Sequence, residues 1–146
     1  MIFRVLLFLI LFNLMSGLKG HIQAQVLRHA DRVAWFTDAR FGMFIHWSHD
    51  SQLGSVISHS MVGASKAYFD YFVNELPTTF NPNRFDPEAW ALQTKLTGMK
   101  YVVFTSKHHS GFCMFHTNTT NFSIQHTPFQ RDITLEVLDA FRKLDI

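Results

Sequence analysis

The chain has 146 residues, of which 47% are hydrophobic and 15% aromatic, a composition typical of one globular domain that excludes a disordered chain. The formal net charge is +2, and residues 1–24 contain two bases and no acid. Residues 25–146 are therefore neutral, with 11 bases and 11 acids, so no excess of positive charge remains to suggest nucleic-acid binding.

Residues 1–24 have the pattern of a secretory signal peptide. Arg4 precedes eight apolar residues at positions 5–12, and small residues follow as far as Ala24. Because a helix that spans a bilayer needs ~20 apolar residues, this run is too short for an anchor. We therefore predict cleavage after Gly20 or Ala24 and no stable membrane insertion afterwards. The mature protein would be secreted or periplasmic, or lysosomal or extracellular in a eukaryote.

The next part of the chain predicts a helix, a strand and a second helix. Residues 25–37 are predicted to be helical. The near-continuous apolar run over residues 41–45 predicts a strand that is buried on both faces. Residues 66–76 carry a partly helical pattern, which Pro77 ends.

Residues 48–64, between the strand and the second helix, are rich in Ser, Gly and His and predict a loop. We expect the side chains of His49, Asp50 and His59 to be solvent-exposed there. Together with His46, the first two offer ligand types that bind metal ions. However, a segment that follows a strand does not direct both histidines to one side, so metal binding is only an alternative interpretation.

The second half of the chain predicts a helix, a strand and a final helix. Asp86 and Pro87 are a cap and first residue of a helix that stops near Gly98. Its predicted apolar face consists of Phe85, Ala89, Leu92, Leu96 and Met99. Residues 101–106 predict a strand, and Asp132 caps a last helix. The predicted buried face of that helix consists of Ile133, Val137, Ala140, Phe141 and Leu144. This alternation predicts an α/β fold with a parallel sheet.

Three histidines follow the two predicted strands. His46 ends the first strand, and His108 and His109 follow the second. Parallel neighbours end at one edge of a sheet, ~5 Å apart, so these imidazoles should converge and offer donors and acceptors to sugar hydroxyls. The flanking Trp47 and Phe112 could cover the C–H face of a sugar, although such rings are more often core residues. The alternative is that all three histidines are structural.

Four motifs in this order resemble the α-L-fucosidases of glycoside hydrolase family 29. They occupy residues 35–47, 85–90, 100–112 and 131–133. The resemblance implies that residues 25–146 form the N-terminal portion of a (β/α)₈ TIM barrel, incomplete as given, with about two of its eight strand–helix units.

The resemblance also implies retaining hydrolysis of terminal α-L-fucosyl linkages in glycans and glycoconjugates. The partner would be a fucosylated glycan, and neither a metal nor an organic cofactor is expected. By position, His46, His108 and His109 match histidines that contact fucose hydroxyls, and Trp47 matches a residue of the same pocket.

The sequence departs from the family pattern at three points. Ser110 replaces an aspartate, and Ser48 replaces a glycine. The family's nucleophile lies on a strand beyond residue 146, and no acid/base residue is matched either, so the isolated chain is expected to be inactive.

Two alternatives to the fucosidase interpretation are a non-catalytic fucose-binding remnant and a metal-dependent barrel hydrolase. The single cysteine, Cys113, is expected to be buried.

Overall fold

The computed structural model describes residues 33–54 and 60–146, so the predicted signal peptide and residues 25–32 lie outside the described residues. The chain divides into two compact units, Met1–Arg40 and Phe41–Ile146. In the first unit, residues 33–39 are helical (α1), as predicted for the later part of 25–37. Across the described ranges, no helix is both long and apolar enough to cross a membrane.

The second unit contains a two-stranded parallel sheet. Strand β1 (Met43–Ile45) pairs with strand β2 (Val102–Phe104), with Ile45 opposite Phe104. One further backbone hydrogen bond, from Thr105 N to Ile45 O at 3.1 Å, extends the pairing past the strand ends. The predicted parallel arrangement is confirmed, although both strands are shorter than the apolar runs that predicted them.

The two faces of this sheet have different surroundings. Phe44 and Val103 lie opposite each other and are 66% and 39% exposed, so the prediction of a strand buried on both faces was wrong. The other face packs against the hydrophobic core through Met43, Ile45, Val102 and Phe104. The prediction failed because the core of the described chain covers only one face of the sheet.

Three further helices follow in the second unit, all of them predicted. They are α2 (Lys66–Asn74), α3 (Pro87–Leu96) and α4 (Ile133–Arg142). Helix α2 ends before Pro77, which belongs to the 3-10 turn Leu76–Thr79. Helices α3 and α4 pack against each other, and α4 also packs against β2. This arrangement places the core between the two helices and the sheet.

The buried face of α3 differs from the predicted one. Leu92 and Leu96 are 52% and 77% exposed, whereas Ala91 and Thr94 are fully buried. The Thr94 hydroxyl donates to the carbonyl of Trp90 at 2.8 Å, so this residue can pack in the core although it is polar. An apolar spacing pattern alone cannot detect a threonine of this kind.

The buried face of α4 agrees with the prediction. Its four buried residues belong to the core: Ile133, Val137, Ala140 and Phe141. Leu144, beyond the helix end, packs against them and is partly buried. The core continues into the loop after β2, where Phe112, Met114 and Ile124 are fully buried.

Two aspartates cap these helices as predicted, but with different numbers of hydrogen bonds. Asp86 accepts one backbone hydrogen bond, from Ala89 N at 2.9 Å. Asp132 accepts two, from Leu135 N and from His116 N, both at 2.9 Å. Asp132 therefore joins the start of α4 to the preceding loop as well as capping the helix.

We expect Asp132→Ala to lower the free energy of unfolding by about 2 kcal/mol and Asp86→Ala by about 1 kcal/mol. The difference arises because the first change also removes the partner of the His116 N–H. Denaturant unfolding of both variants measures it. Equal losses would show that the bond to His116 contributes nothing to stability.

Candidate functional site

The three predicted histidines come together at one edge of the sheet. The rings of His46 and His108 have centroids 4.6 Å apart and are nearly perpendicular, at 82°. The rings of His108 and His109 are 4.3 Å apart at 76°. We call these three residues the histidine cluster. Their predicted convergence is confirmed, and its cause is the parallel pairing of β1 and β2, which brings both strand ends to the same edge.

A hydrogen bond fixes the first ring of the histidine cluster. His46 Nδ1 and Thr105 Oγ1 are 2.9 Å apart, so the residue after β1 is tied to the residue after β2. His46 and His109 are exposed, and His108 is partly buried. The cluster therefore presents imidazole donors and acceptors at an accessible surface, where they can bind a polar ligand.

Phe44 belongs beside this cluster, although the sequence interpretation overlooked it. Its ring centroid is 5.9 Å from that of His46, and its side chain is exposed. Residues two apart in a strand point to the same face, and this rule could have identified Phe44 from the sequence. The site thus combines an apolar ring with imidazole groups.

Trp47 and Phe112 both pack into aromatic surroundings. The indole of Trp47 stacks on Phe85 at 5.7 Å and meets Trp90 edge-on at 5.8 Å. Its Nε1 donates to Ser51 Oγ at 3.1 Å. Phe112 is fully buried and is a core residue, which excludes it as an exposed platform. Trp47 is partly buried, and its role in ligand binding stays a prediction.

His49 and Asp50 are fully buried. The prediction that their side chains are solvent-exposed was therefore wrong. The 3-10 turn His49–Leu53 folds this segment inward instead of leaving it as an open loop. The His49 ring stacks on Phe112 with centroids 4.2 Å apart and an interplanar angle of 25°. Three other rings meet it edge-on, those of Phe72, Phe80 and Phe122. His59 lies outside the described residues.

Burial controls the charge of His49. Because removal from water disfavours the imidazolium, the pKa of His49 falls from 6.5 to about 4. The neighbouring Asp50 carboxylate and the Phe72 backbone carbonyl both favour the protonated ring and so oppose this lowering of the pKa. Neither lies within hydrogen-bond geometry of Nε2. Asp50 Oδ2 accepts a 2.6 Å hydrogen bond from Ser60 Oγ. His49 is therefore neutral at pH 7.

Comparison with known proteins identifies the family. The sequence profile described as alpha-L-fucosidase matches residues 19–146. The chain belongs to the α-L-fucosidase family. The resemblance inferred from the four motifs is therefore confirmed.

Two curated relatives illustrate how much of an α-L-fucosidase this chain represents. It is 32% identical to tissue α-L-fucosidase of Homo sapiens, over 77% of this chain and 27% of the human protein. It is 29% identical to a putative α-L-fucosidase of Caenorhabditis elegans, over 97% of this chain and 32% of that protein. The chain thus spans less than a third of the length of these relatives.

Solved structures of α-L-fucosidases resemble the fold. Isoenzyme 1 from Paenibacillus thiaminolyticus superimposes with a TM-score of 0.66 and 41% identity, over 79% of this chain and 27% of that one. AlfC from Lactobacillus casei, in complex with α-L-fucose product, gives a TM-score of 0.66 and 36% identity, over 80% of this chain and 39% of that one. These matches support the mixed α/β architecture described above.

The two serines that depart from the α-L-fucosidase pattern, Ser48 and Ser110, closely follow the residues of the histidine cluster in the sequence, and both hydroxyls are buried. Ser48 is buried, and its Oγ lies 3.4 Å from His49 Nδ1. Ser110 follows the His108–His109 pair, and its Oγ has no hydrogen-bond partner in the part of the chain that the structure describes. Neither serine therefore supplies a charge to the histidine cluster.

The metal alternative gains no support from the geometry. Over residues 33–54 and 60–146, no three His, Cys, Asp or Glu side chains are grouped closely enough to hold a metal ion. The segment that suggested such a site instead sends His49 and Asp50 into the interior while His46 stays exposed.

Cys113 is buried as expected, with its Sγ 3.7 Å from the Gly111 carbonyl oxygen.

Proposed function

We propose that this chain forms the first wall of the fucose pocket in a retaining α-L-fucosidase that hydrolyses terminal α-L-fucosyl linkages of glycans and glycoconjugates. The observation that carries the proposal is the convergence of His46, His108 and His109 at one edge of the parallel strands. Family membership supports the reaction. The relative AlfC has been solved with α-L-fucose product and with Fucα(1,6)GlcNAc, which supports the class of substrate.

The side chains at the site suit a sugar. Neighbouring imidazoles can donate to or accept from neighbouring hydroxyl groups on one face of a pyranose. At His46 the nitrogen that would face the sugar is Nε2, because Nδ1 is hydrogen-bonded with Thr105 Oγ1. The exposed ring of Phe44, 5.9 Å from His46, offers an apolar surface to C–H groups. We assign Trp47 to the border of the same pocket, since it directly follows His46 and is only partly buried.

We further propose that β1, β2, α3 and α4 are the first two strand–helix units of a (β/α)₈ barrel, within a domain that includes residues 25–146. Active sites of such barrels lie at the C-terminal ends of the strands, which is where the histidine cluster lies. We also propose that residues 1–24 are a signal peptide for a secreted or lysosomal protein. One relative is a plasma α-L-fucosidase from Rattus norvegicus, which supports secretion.

Retaining hydrolysis requires two carboxyl groups about 5–5.5 Å apart, one as nucleophile and one as general acid/base. We propose that later strands of the barrel supply both groups, and that no metal or organic cofactor takes part. The histidine cluster then binds and orients the sugar, and the 146-residue chain alone performs no hydrolysis.

We expect the product of the complete reading frame, meaning a protein in which the proposed later strands of the barrel follow this chain, to release fucose from an aryl α-L-fucoside with retention of configuration. The product that ends at Ile146 should release no fucose, because it would lack the carboxyl groups of both the nucleophile and the general acid/base. Absorbance of the aryl alcohol measures the rate, and NMR of the first-formed anomer gives the stereochemistry.

Three other outcomes would change the proposal. Hydrolysis by the shorter product would contradict the assignment of the carboxyl groups to later strands. A complete product that binds fucose without hydrolysing the fucoside would favour the non-catalytic binding alternative. A complete product that neither binds nor hydrolyses would overturn the proposed function.

A further inference from the structure

We propose that His49 is a positioning residue for the histidine cluster, acting through its ring stack on Phe112 and not by contact with the sugar. The inference rests on the proposed fucose pocket. It assigns a role to a buried imidazole that the proposed chemistry does not use.

The stack joins the two loops that carry the cluster. His49 follows His46 by three residues, and Phe112 follows His109 by three residues. Both rings are fully buried, and they stack with centroids 4.2 Å apart. Each loop therefore leaves its strand, presents its part of the histidine cluster and then enters the core, where the two loops meet through the His49 and Phe112 rings. Because the strands have only three residues each, this ring pair is a major constraint on how the loops lie relative to each other.

Surrounding rings hold the stack in place. Phe72 of α2 and Phe122 meet the His49 ring edge-on at 4.8 Å and 5.2 Å. Phe80, after the second 3-10 turn, meets it at 6.4 Å. Close packing of this kind allows little sliding of one ring over another. A shift of the His49 ring would thus move the segment that begins at His46.

The shape of the ring, and not its polarity, should carry the effect. His49 Nε2 has no hydrogen-bond partner among the described residues, and Nδ1 has only the weak 3.4 Å contact with Ser48 Oγ. Burial keeps the ring uncharged at pH 7, so it packs among the phenyl rings as a planar group without a charge. A phenyl ring should replace it, and an aliphatic side chain should not.

The experiment uses the product of the complete reading frame and measures the Kd of fucose by calorimetry and the melting temperature of each variant. His49→Ala removes the stack, His49→Leu keeps bulk without a planar ring, and His49→Phe keeps the ring. Val137→Ala is the matched control, because Val137 is a fully buried residue of α4 that lies outside both loops.

We expect His49→Ala and His49→Leu to raise the Kd of fucose about tenfold or more, since a displaced histidine cluster would lose a hydrogen bond to the sugar, and one such loss corresponds to about tenfold in Kd. His49→Phe should stay within about threefold of the unsubstituted protein. Val137→Ala should lower the melting temperature but leave the Kd unchanged. That pattern would separate positioning from a general loss of stability.

The inference alone is overturned if fucose binds normally to the unsubstituted protein and equally well to His49→Ala or His49→Leu. It is also overturned if His49→Phe binds as weakly as His49→Leu, since ring shape would then be irrelevant. If His49→Ala does not fold, the comparison of the Leu and Phe variants decides. Failure of the unsubstituted protein to bind fucose would instead remove the proposed function, and this inference with it.

Discussion

Replacing His46 with alanine should weaken fucose binding by about 1–3 kcal/mol, because the lost imidazole leaves a sugar hydroxyl without its partner. This corresponds to a rise in Kd of about five- to 150-fold. The His46 ring is held in place by Thr105 at 2.9 Å, so little of its binding energy is spent on ordering the side chain. His109→Ala should have an effect of the same size, since its exposed ring completes the histidine cluster.

Calorimetric titration of the complete reading-frame product with fucose measures both effects. His126→Ala is a suitable control, because His126 is an exposed imidazole in the 3-10 turn Ile124–His126 and outside the histidine cluster. Its Kd should equal that of the unsubstituted protein. An unchanged Kd for both His46→Ala and His109→Ala would show that the cluster does not line the fucose pocket.

Acidification from pH 7 to pH 4 should cost about 3 kcal/mol of stability through His49 alone. The pKa of this imidazole is about 4 in the folded protein and 6.5 in the unfolded chain. Below pH 6.5 the unfolded chain therefore binds more protons than the folded protein, so the free energy of unfolding falls as the pH falls. The decline should level off below about pH 4, where the folded state also takes up the proton.

Denaturant unfolding at a series of pH values tests this expectation. Other groups titrate in the same range, so the informative quantity is the difference between the unsubstituted protein and His49→Phe, which cannot be protonated. The loss between pH 7 and pH 4 should be about 3 kcal/mol smaller in the variant. Parallel curves for the two proteins would mean that folding does not lower the pKa of His49.

Local signals and strand pairing explain what the sequence predicted. Asp86 and Asp132 were identified as caps because an N-cap aspartate bonds to a backbone N–H three residues later, within one short segment. The convergence of His46 with His108 needed only two apolar runs, a helix between them and the parallel connection that this order favours. These inferences depend on neighbours in sequence or on one topological rule.

The incorrect predictions depended on contacts between distant segments. The segment after Trp47 has the composition of a loop, yet His49 is buried because Phe72, Phe80, Phe112 and Phe122 enclose it from four other parts of the chain. Likewise, Leu96 fits a helical apolar pattern but is exposed, and Phe44 lies on the uncovered sheet face. Hydrophobicity indicates which residues gain from burial, but the layers that pack together decide which are buried.

The position of Cys113 gives the chain an internal reporter. It is the single cysteine in the sequence, it directly follows Phe112, and it is only 1% exposed. An alkylating reagent can modify such a thiol only when the surrounding segment opens. The rate of thiol labelling therefore follows local opening of the loop that carries His108 and His109, without an introduced cysteine.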